Sequence, residues 1–352
     1  MTSIALVVPD NVDTVLSGGN LYDLRLAEAL GAAGDDVALC RVGGSWPVVD
    51  AAAERQLESA LEQLRTEDRQ RAVIVDGLVG AACPRVIGDA VAAGMTLHLL
   101  IHLPLGLEPG LDGQTARERN TLEHASVRAA SSIIATSNWS ASELRRRHGL
   151  PHVAVAPPGV HRAPAAHGST PPRLLQVAAL VPGKNQLALV SALAGLADQQ
   201  WTARLAGSLT RDRRYAQQVQ DAIRKAGLGE RILCVGELTG PALEDQWRAA
   251  DLTVLLSSVE TYGMVVTESL ARGIPAIVSE GTGAEETLGF DRHGHRPGFA
   301  VSPGEPRALS QALAGWLSDP ATRSAVRYAA MDRRGMLTGW DQTARDVMAA
   351  LR

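Results

Sequence analysis

The chain has 352 residues, 45% hydrophobic and 20% charged, which suits two packed domains and excludes general disorder. A net charge of −4 provides no basic field for duplex nucleic acid. Cys40, Cys83 and Cys234 lie far apart and form neither a disulfide framework nor a zinc spacing, which fits a reducing cytoplasm.

The stretch up to Pro9 lacks a basic n-region and a cleavage site, so no signal peptide is expected. No run approaches the length of a membrane span. In the first half, strands are expected at Ile4–Val8, Val37–Val42, Ala72–Val75, Thr96–Ile101, Ile133–Ala135 and Val153–Ala156. Helical patterns such as Leu21–Ala33 and Ala51–Leu64 lie between them. The proline-rich stretch from Pro157 to Pro172 can continue neither a helix nor a central strand and reads as a hinge. The pattern then restarts with strands at Leu174–Ala178, Trp201–Ala206, Ile232–Val235, Leu252–Leu256 and Ala276–Val278. Helices are expected at Gln186–Ala197, Arg213–Ala226, Leu243–Ala249 and Met264–Arg272, with a last amphipathic one at Asp341–Leu351.

The expected fold is α/β, with two Rossmann-like doubly wound parallel-sheet domains facing a central cleft. Their bounds are 1–160 and 173–335, with 161–172 as the hinge and 336–352 as a helix returning to the first domain. Ligands of such sheets bind beyond the carboxyl ends of the strands, so the loops there hold the candidate chemistry.

Glu260 falls in a loop after a strand, Gly263 at a helix start and Glu268 within that helix. Unpaired amides and the helix dipole favour a diphosphate there, and a carboxylate beside them can accept vicinal hydroxyls. The same glutamates also read as solvated helix-start charges. Lys184, on a Pro-Gly turn between a strand and a helix, can set a point charge against a diphosphate. Gly18 and Gly19 allow close backbone approach to a phosphate, or form a plain turn. His102 ends an apolar strand, either as a donor in a cleft or as a satisfied structural histidine. His124 and His148 are expected on exposed helix faces, and His293 and His295 in a polar loop. None has a partner at metal-ligand spacing.

The block SSVETYGMVVTESLARGIPAIVS, with Glu260 and Glu268 in a Glu-x7-Glu spacing, resembles the retaining glycosyltransferases of family 4, which have the GT-B architecture. VAPPGV, VAALVPGKNQ, LAGSLTRD, ILCVGELTG and GWDQTA add to the resemblance. It implies that Glu268 binds the ribose hydroxyls of a nucleotide sugar and that Glu260 contacts the sugar. The backbone of Thr261, Tyr262, Gly263, Met264 and Val265 would hold sugar and phosphate. Lys184 would neutralise the leaving diphosphate. Gly207, Glu237 and Leu238 would lie in the donor site, the last two by the base. Gly18 and Gly19 would bring amides to the phosphates, and His102 would stand by the anomeric carbon and the acceptor.

The family often carries an arginine shortly before the lysine, where this chain has Ala178 and Ala179. Arg173 lies at the opposite strand end; either Arg25 or an arginine of 211–214 is expected to replace the missing one, or the enzyme is slow or not a transferase. The expected activity is sugar transfer with retention from a nucleotide diphosphate sugar, UDP favoured on family frequency, to a small-molecule or saccharide acceptor. No metal, other cofactor or nucleic acid is expected, and peripheral membrane contact is not favoured. The alternatives are a catalytically weak or inactive nucleotide-sugar binder and a nucleotide-sugar epimerase.

Overall fold

The short apolar runs form strands buried on both faces, as a parallel sheet covered by helices requires. The computed structural model describes residues 2–68, 71–303 and 305–352. The chain divides into two compact units. One runs from Met1 to Gly159 and resumes at Thr338–Arg352; the other is Val160–Leu337.

In the first unit, β1 (Ser3–Pro9), β2 (Asp36–Val42), β3 (Ala72–Asp76), β4 (Leu97–Ile101), β5 (Ser132–Ala135) and β6 (Ala154–Val155) form one sheet. Their order is β2-β1-β3-β4-β5-β6, all parallel. Helices α1 (Gly18–Ala32), α2 (Ala51–Glu67), α3 (Gly77–Gly80), α4 (Pro84–Ala92), α5 (Gly113–Ala129) and α6 (Asn138–His148) connect them. The direction of winding reverses between β1 and β3, and the loops part there.

In the second unit, β7 (Arg173–Val177), β8 (Thr202–Ala206), β9 (Ile232–Gly236), β10 (Leu252–Leu255), β11 (Ala276–Ser279) and β12 (Gly298–Val301) are also parallel. The order β12-β11-β10-β7-β8-β9 puts the reversal between β7 and β10. Its helices are α7 (Gln186–Ala194), α8 (Arg213–Lys225), α9 (Gly240–Arg248), α10 (Met264–Ala271), α11 (Gly283–Leu288), α12 (Pro306–Ser318) and α13 (Pro320–Arg334). Trp201 and Trp316 are buried in its aliphatic core.

The last helix, α14 (Trp340–Ala350), belongs to the first unit. The ring of Trp340 meets Tyr22 edge-on at 5.5 Å, and the Tyr22 hydroxyl donates to the Ala156 carbonyl at 2.9 Å. Thr343 Oγ1 donates to the Pro157 carbonyl at 2.7 Å. Among the described residues no helix is long and apolar enough to cross a membrane.

Three local expectations change. α1 starts at Gly18 because Ser17 caps it, accepting from the Asn20 amide, so Gly18 and Gly19 are helical rather than loop residues. α7 stops at Ala194 with Gly195 as its C-cap. His148 is buried rather than exposed, because Ser140, Leu144 and His148 fall four apart on the inner face of α6.

A Cβ placed on Gly159 would lie 2.3 Å from the Trp340 backbone nitrogen. We expect Gly159→Ala to displace α14 and cost about 2–4 kcal/mol, read as a lower urea midpoint.

Candidate functional site

β7 and β10 are adjacent and parallel, in the register Leu252–Leu174 and Thr253–Leu175. The loops that follow them must therefore run side by side. Polar side chains join the two. Asn185, in the left-handed conformation that asparagine tolerates, donates from Nδ2 to the Leu256 carbonyl at 2.7 Å. The Ser258 amide donates to the Gly183 carbonyl at 2.9 Å. Gln176 and Gln186 donate to the carbonyls of Lys184 and Ala179, each at 3.0 Å.

This stitching brings Lys184 to Glu260 across 76 positions of sequence, with Nζ 2.8 Å from Oε2. Ser257, which sequence reasoning passed over, completes the group: it accepts from Lys184 Nζ at 3.1 Å and donates to Glu260 Oε2 at 2.9 Å. The pair is partly exposed, so its net worth is modest and a stronger anion can compete for the ammonium.

Gly263 caps α10 at φ 86°, with no side chain satisfying the first-turn amides. Its positive φ strains any other residue, and an added Cβ would lie a tight 3.2 Å from the side chains of Leu255 and Ala284. Gly283 is equally necessary and was not anticipated. Its amide donates to the Glu260 carbonyl at 2.7 Å, and a Cβ there would lie 1.9 Å from the Thr261 carbonyl oxygen. Thr287 Oγ1 donates to the Tyr262 carbonyl at 2.6 Å. These contacts fix the backbone from Glu260 to Gly263. Met264 opens α10, and Val265 packs with Leu238 against the apolar cluster of Trp247. Glu237 is exposed beyond β9. Gly207 presses on the Ala178 peptide, where an added Cβ would come within 2.0 Å of the carbonyl oxygen.

Glu268 lies on α10, and no described side chain is hydrogen-bonded to its carboxyl. Desolvation raises that carboxyl to about 7, against the opposing field of Arg272. Arg272 is engaged elsewhere. It donates to the Glu268 backbone carbonyl at 2.9 Å, pairs with Glu244 at 2.6 Å and lies over the Trp247 ring. The Glu268 carboxyl is thus an acceptor without a protein donor. The proposed substitutes for the absent arginine are placed differently: Arg25 pairs with Glu28, and Arg211, Arg213 and Arg214 are exposed around the start of α8.

The first unit holds a second cluster at its own reversal point. His102 follows β4, Asp76 ends β3 and Asp23 lies on the buried face of α1. His102 Nε2 is 2.8 Å from Asp23 Oδ1 and 3.5 Å from Asp76 Oδ2. A Cβ on Gly19 would lie 3.0 Å from His102 Cδ2, so the glycine lets the ring pack on the first turn of α1. Asp23 and Asp76 come from distant elements and were not anticipated as partners of His102. The three groups lie within 4.8 Å of one another, a spacing that a cation's ligands also have. Burial raises both carboxyls, and the neighbouring Asp23 charge raises Asp76 further. Such a pair shares a proton in preference to presenting two charges. Elsewhere in the unit, His148 Nε2 is 2.8 Å from Glu123 Oε2, and Glu123 Oε1 accepts from the Leu105 amide.

The raised Glu268 carboxyl has a stability signature. Between about pH 4.5 and about 7 the folded chain keeps a proton that the unfolded chain has lost. Stability therefore falls as pH rises through that window. In a urea series over those pH values, Glu268→Gln should be increasingly favoured over the parent chain.

Residues 160–333, nearly the whole second unit, match the family described as glycosyl transferases group 1. A D-inositol 3-phosphate glycosyltransferase of Pseudarthrobacter chlorophenolicus is 27% identical over 289 residues. That alignment covers 77% of this chain and 66% of the relative, so the chain spans just under two thirds of that relative's length. The sucrose-phosphate synthase of Thermosynechococcus elongatus superposes with a TM-score of 0.81 at 20% identity, over 99% of this chain and 98% of the other. Anabaena HepE in complex with UDP and glucose gives 0.76 at 17%, over 100% and 99%. The two doubly wound parallel-sheet units thus have the fold of the GT-B glycosyltransferases, and the second carries the group 1 family's sequence pattern.

Proposed function

We propose that the chain transfers a sugar, with retention at the anomeric carbon, from a nucleoside diphosphate sugar to a hydroxyl of a small molecule or saccharide. The observation that carries this reading is the second unit's arrangement: the Lys184–Ser257–Glu260 group and the unpartnered Glu268 carboxyl accompany the uncapped start of α10. The match over residues 160–333 supports the reaction class. The structural neighbour crystallised with UDP and glucose supports UDP as the favoured nucleotide.

In this reading the diphosphate takes the Lys184 ammonium and the first amides of α10. Glu268 accepts the ribose hydroxyls, and Glu260, released from Lys184, contacts the sugar. The backbone of Thr261–Val265 holds sugar and phosphate, and Gly207, Glu237 and Leu238 complete the donor site by the base. His102 serves the acceptor, and Gly18 and Gly19 offer amides at the start of α1. The protein's share of the rate is orientation and stabilisation of charge on the departing diphosphate, with no divalent metal required. The free thiols of Cys40, Cys83 and Cys234 agree with a reducing, cytoplasmic setting. A second reading, a weak or inactive nucleotide-sugar binder, is favoured by Ala178 and Ala179 standing where the family often has its arginine.

Thermal shift with UDP, GDP, ADP and dTDP, with and without magnesium, tests the donor site. A nucleotide at about 100 times its Kd should stabilise by about 2.7 kcal/mol, unaffected by magnesium. No shift with any of them would refute the site. Turnover is then followed by mass spectrometry with polyol phosphates among the acceptors. Lys184→Ala should lower kcat about 10²–10³-fold, as loss of one leaving-group contact does. Glu268→Ala should instead weaken donor affinity about tenfold or more. Binding without turnover by the parent chain would favour the second reading.

A further inference from the structure

His102 has its Nε2 edge against protein and its Nδ1 edge free. Asp23 Oδ1 and Asp76 Oδ2 lie on the Nε2 side, and no described residue is hydrogen-bonded to Nδ1. The ring plane is fixed by Tyr22, edge-on at 5.0 Å, and by the first turn of α1 at Gly19. Asp76 is fixed in turn by the Leu78 amide, which donates to its Oδ1 at 2.6 Å.

Asp23 Oδ2 and Asp76 Oδ2 are both buried without a hydrogen-bond partner. An orphaned buried polar atom is costly. One ligand oxygen from each acid and a ring nitrogen of His102 lie within 4.8 Å of one another, so one proton held between the two carboxyls would satisfy the orphans and leave the pair a single negative charge. That charge is met at Asp23 Oδ1 by the N–H of Nε2. A neutral imidazole has one N–H, so Nδ1 is then a lone pair.

We propose that Asp23 and Asp76 are positioning residues that hold His102 as its neutral Nε2–H tautomer, so that Nδ1 accepts a hydrogen bond from a substrate hydroxyl. The ligand class follows from the chemistry. A sugar or polyol has a proton to give Nδ1, whereas an ionised phosphate or carboxylate has none. The titratable groups packed on the ring are Asp23 and Tyr22 from α1 and Asp76 from the end of β3. Burial lowers the imidazole's proton affinity and the Asp76 charge opposes this, the net being a lowered value that agrees with a neutral ring. The assignment of the hydroxyl to a sugar-transfer substrate rests on the function proposed above; the tautomer does not.

The test is a long-range proton–nitrogen correlation spectrum of the full chain labelled with nitrogen-15 histidine, with His102→Gln assigning the signal. The parent chain should show His102 as neutral Nε2–H from about pH 6 to about pH 9. A doubly protonated ring near pH 7.5, or an Nδ1–H tautomer, would overturn the proposal without any variant having to fold. Stoichiometric divalent metal in the purified chain that is lost in Asp23→Ala would overturn it too. Asp23→Ala should release the tautomer into a mixture and lower kcat about tenfold or more with donor KM little changed. Asp76→Ala should do likewise, and Asp76→Asn, whose amide supplies the shared hydrogen, should restore most of the loss. Equal kcat in Asp23→Ala and the parent chain would sink the positioning role. If the tautomer is found and no donor is ever turned over, the sugar-transfer reading fails while the hydroxyl-accepting histidine stands.

Discussion

The second unit's candidate site depends on two neighbouring parallel strands ending side by side. β7 and β10 are far apart in sequence but hydrogen-bonded in register, so the loops beyond them are juxtaposed by the sheet. Parallel strands need crossover connections, and the reversal of winding between β7 and β10 sends their connections to opposite faces of the sheet, which opens a crevice at their carboxyl ends. The amide and carbonyl contacts made by Asn185, Ser258 and the two glutamines then set the loops to within hydrogen-bond tolerance. Lys184 and Glu260 meet as a consequence of topology, and Ser257 and Gly283 make the meeting unstrained.

The first unit repeats this logic with different chemistry. Its reversal point, between β1 and β3, gathers an acid from a helix, an acid from a strand end and a histidine from the next strand end. Two buried acids are expensive for a fold, because each unpaired charge in a low-dielectric interior costs more than packing returns. The Leu78 amide at Asp76 and the His102 ring nitrogen at Asp23 offset part of that cost, and the proposed shared proton would offset more. Tyr22 ties the same region to α14 through Trp340, so the returning carboxyl-terminal helix supports the wall on which His102 rests.

Much of this was legible in the chain. The apolar runs gave β1 to β11 to within a residue or two, because strands of a covered parallel sheet are dominated by apolar residues, whereas β12 (Gly298–Val301) went unread. Glu260, Gly263 and Glu268 were legible because strand, loop, helix start and turn follow one another within a single short segment. Contacts between distant segments were not. Asp23 has only a weak local signal, an acid beside Tyr22 and Leu26 on the buried stripe of α1. Asp76 ends an apolar run, which reads equally well as an ordinary strand terminus. His148 was misplaced because three adjacent arginines masked its position on the inner face of α6. Gly283 carries no local mark at all, since its necessity lies in a carbonyl from another loop.

The absent arginine acquires a physical setting. The backbone at Ala178 is held by the Ala206 carbonyl on one side and by close approach of Gly207 on the other. Under the proposed function the site would meet a diphosphate with a lysine whose charge is matched by Glu260 and with the dipole of α10, worth roughly half a charge. Its field toward an anion is weak until Lys184 changes partners. Glu268, with its carboxyl raised to about 7, is only partly ionised near neutral pH and so adds less than a full opposing charge. On that reading the leaving group itself has to break the Lys184–Glu260 pair. In the proposed function that exchange would free the carboxylate for the sugar at the moment the ammonium is taken up by phosphate, which would couple donor binding to assembly of both contacts.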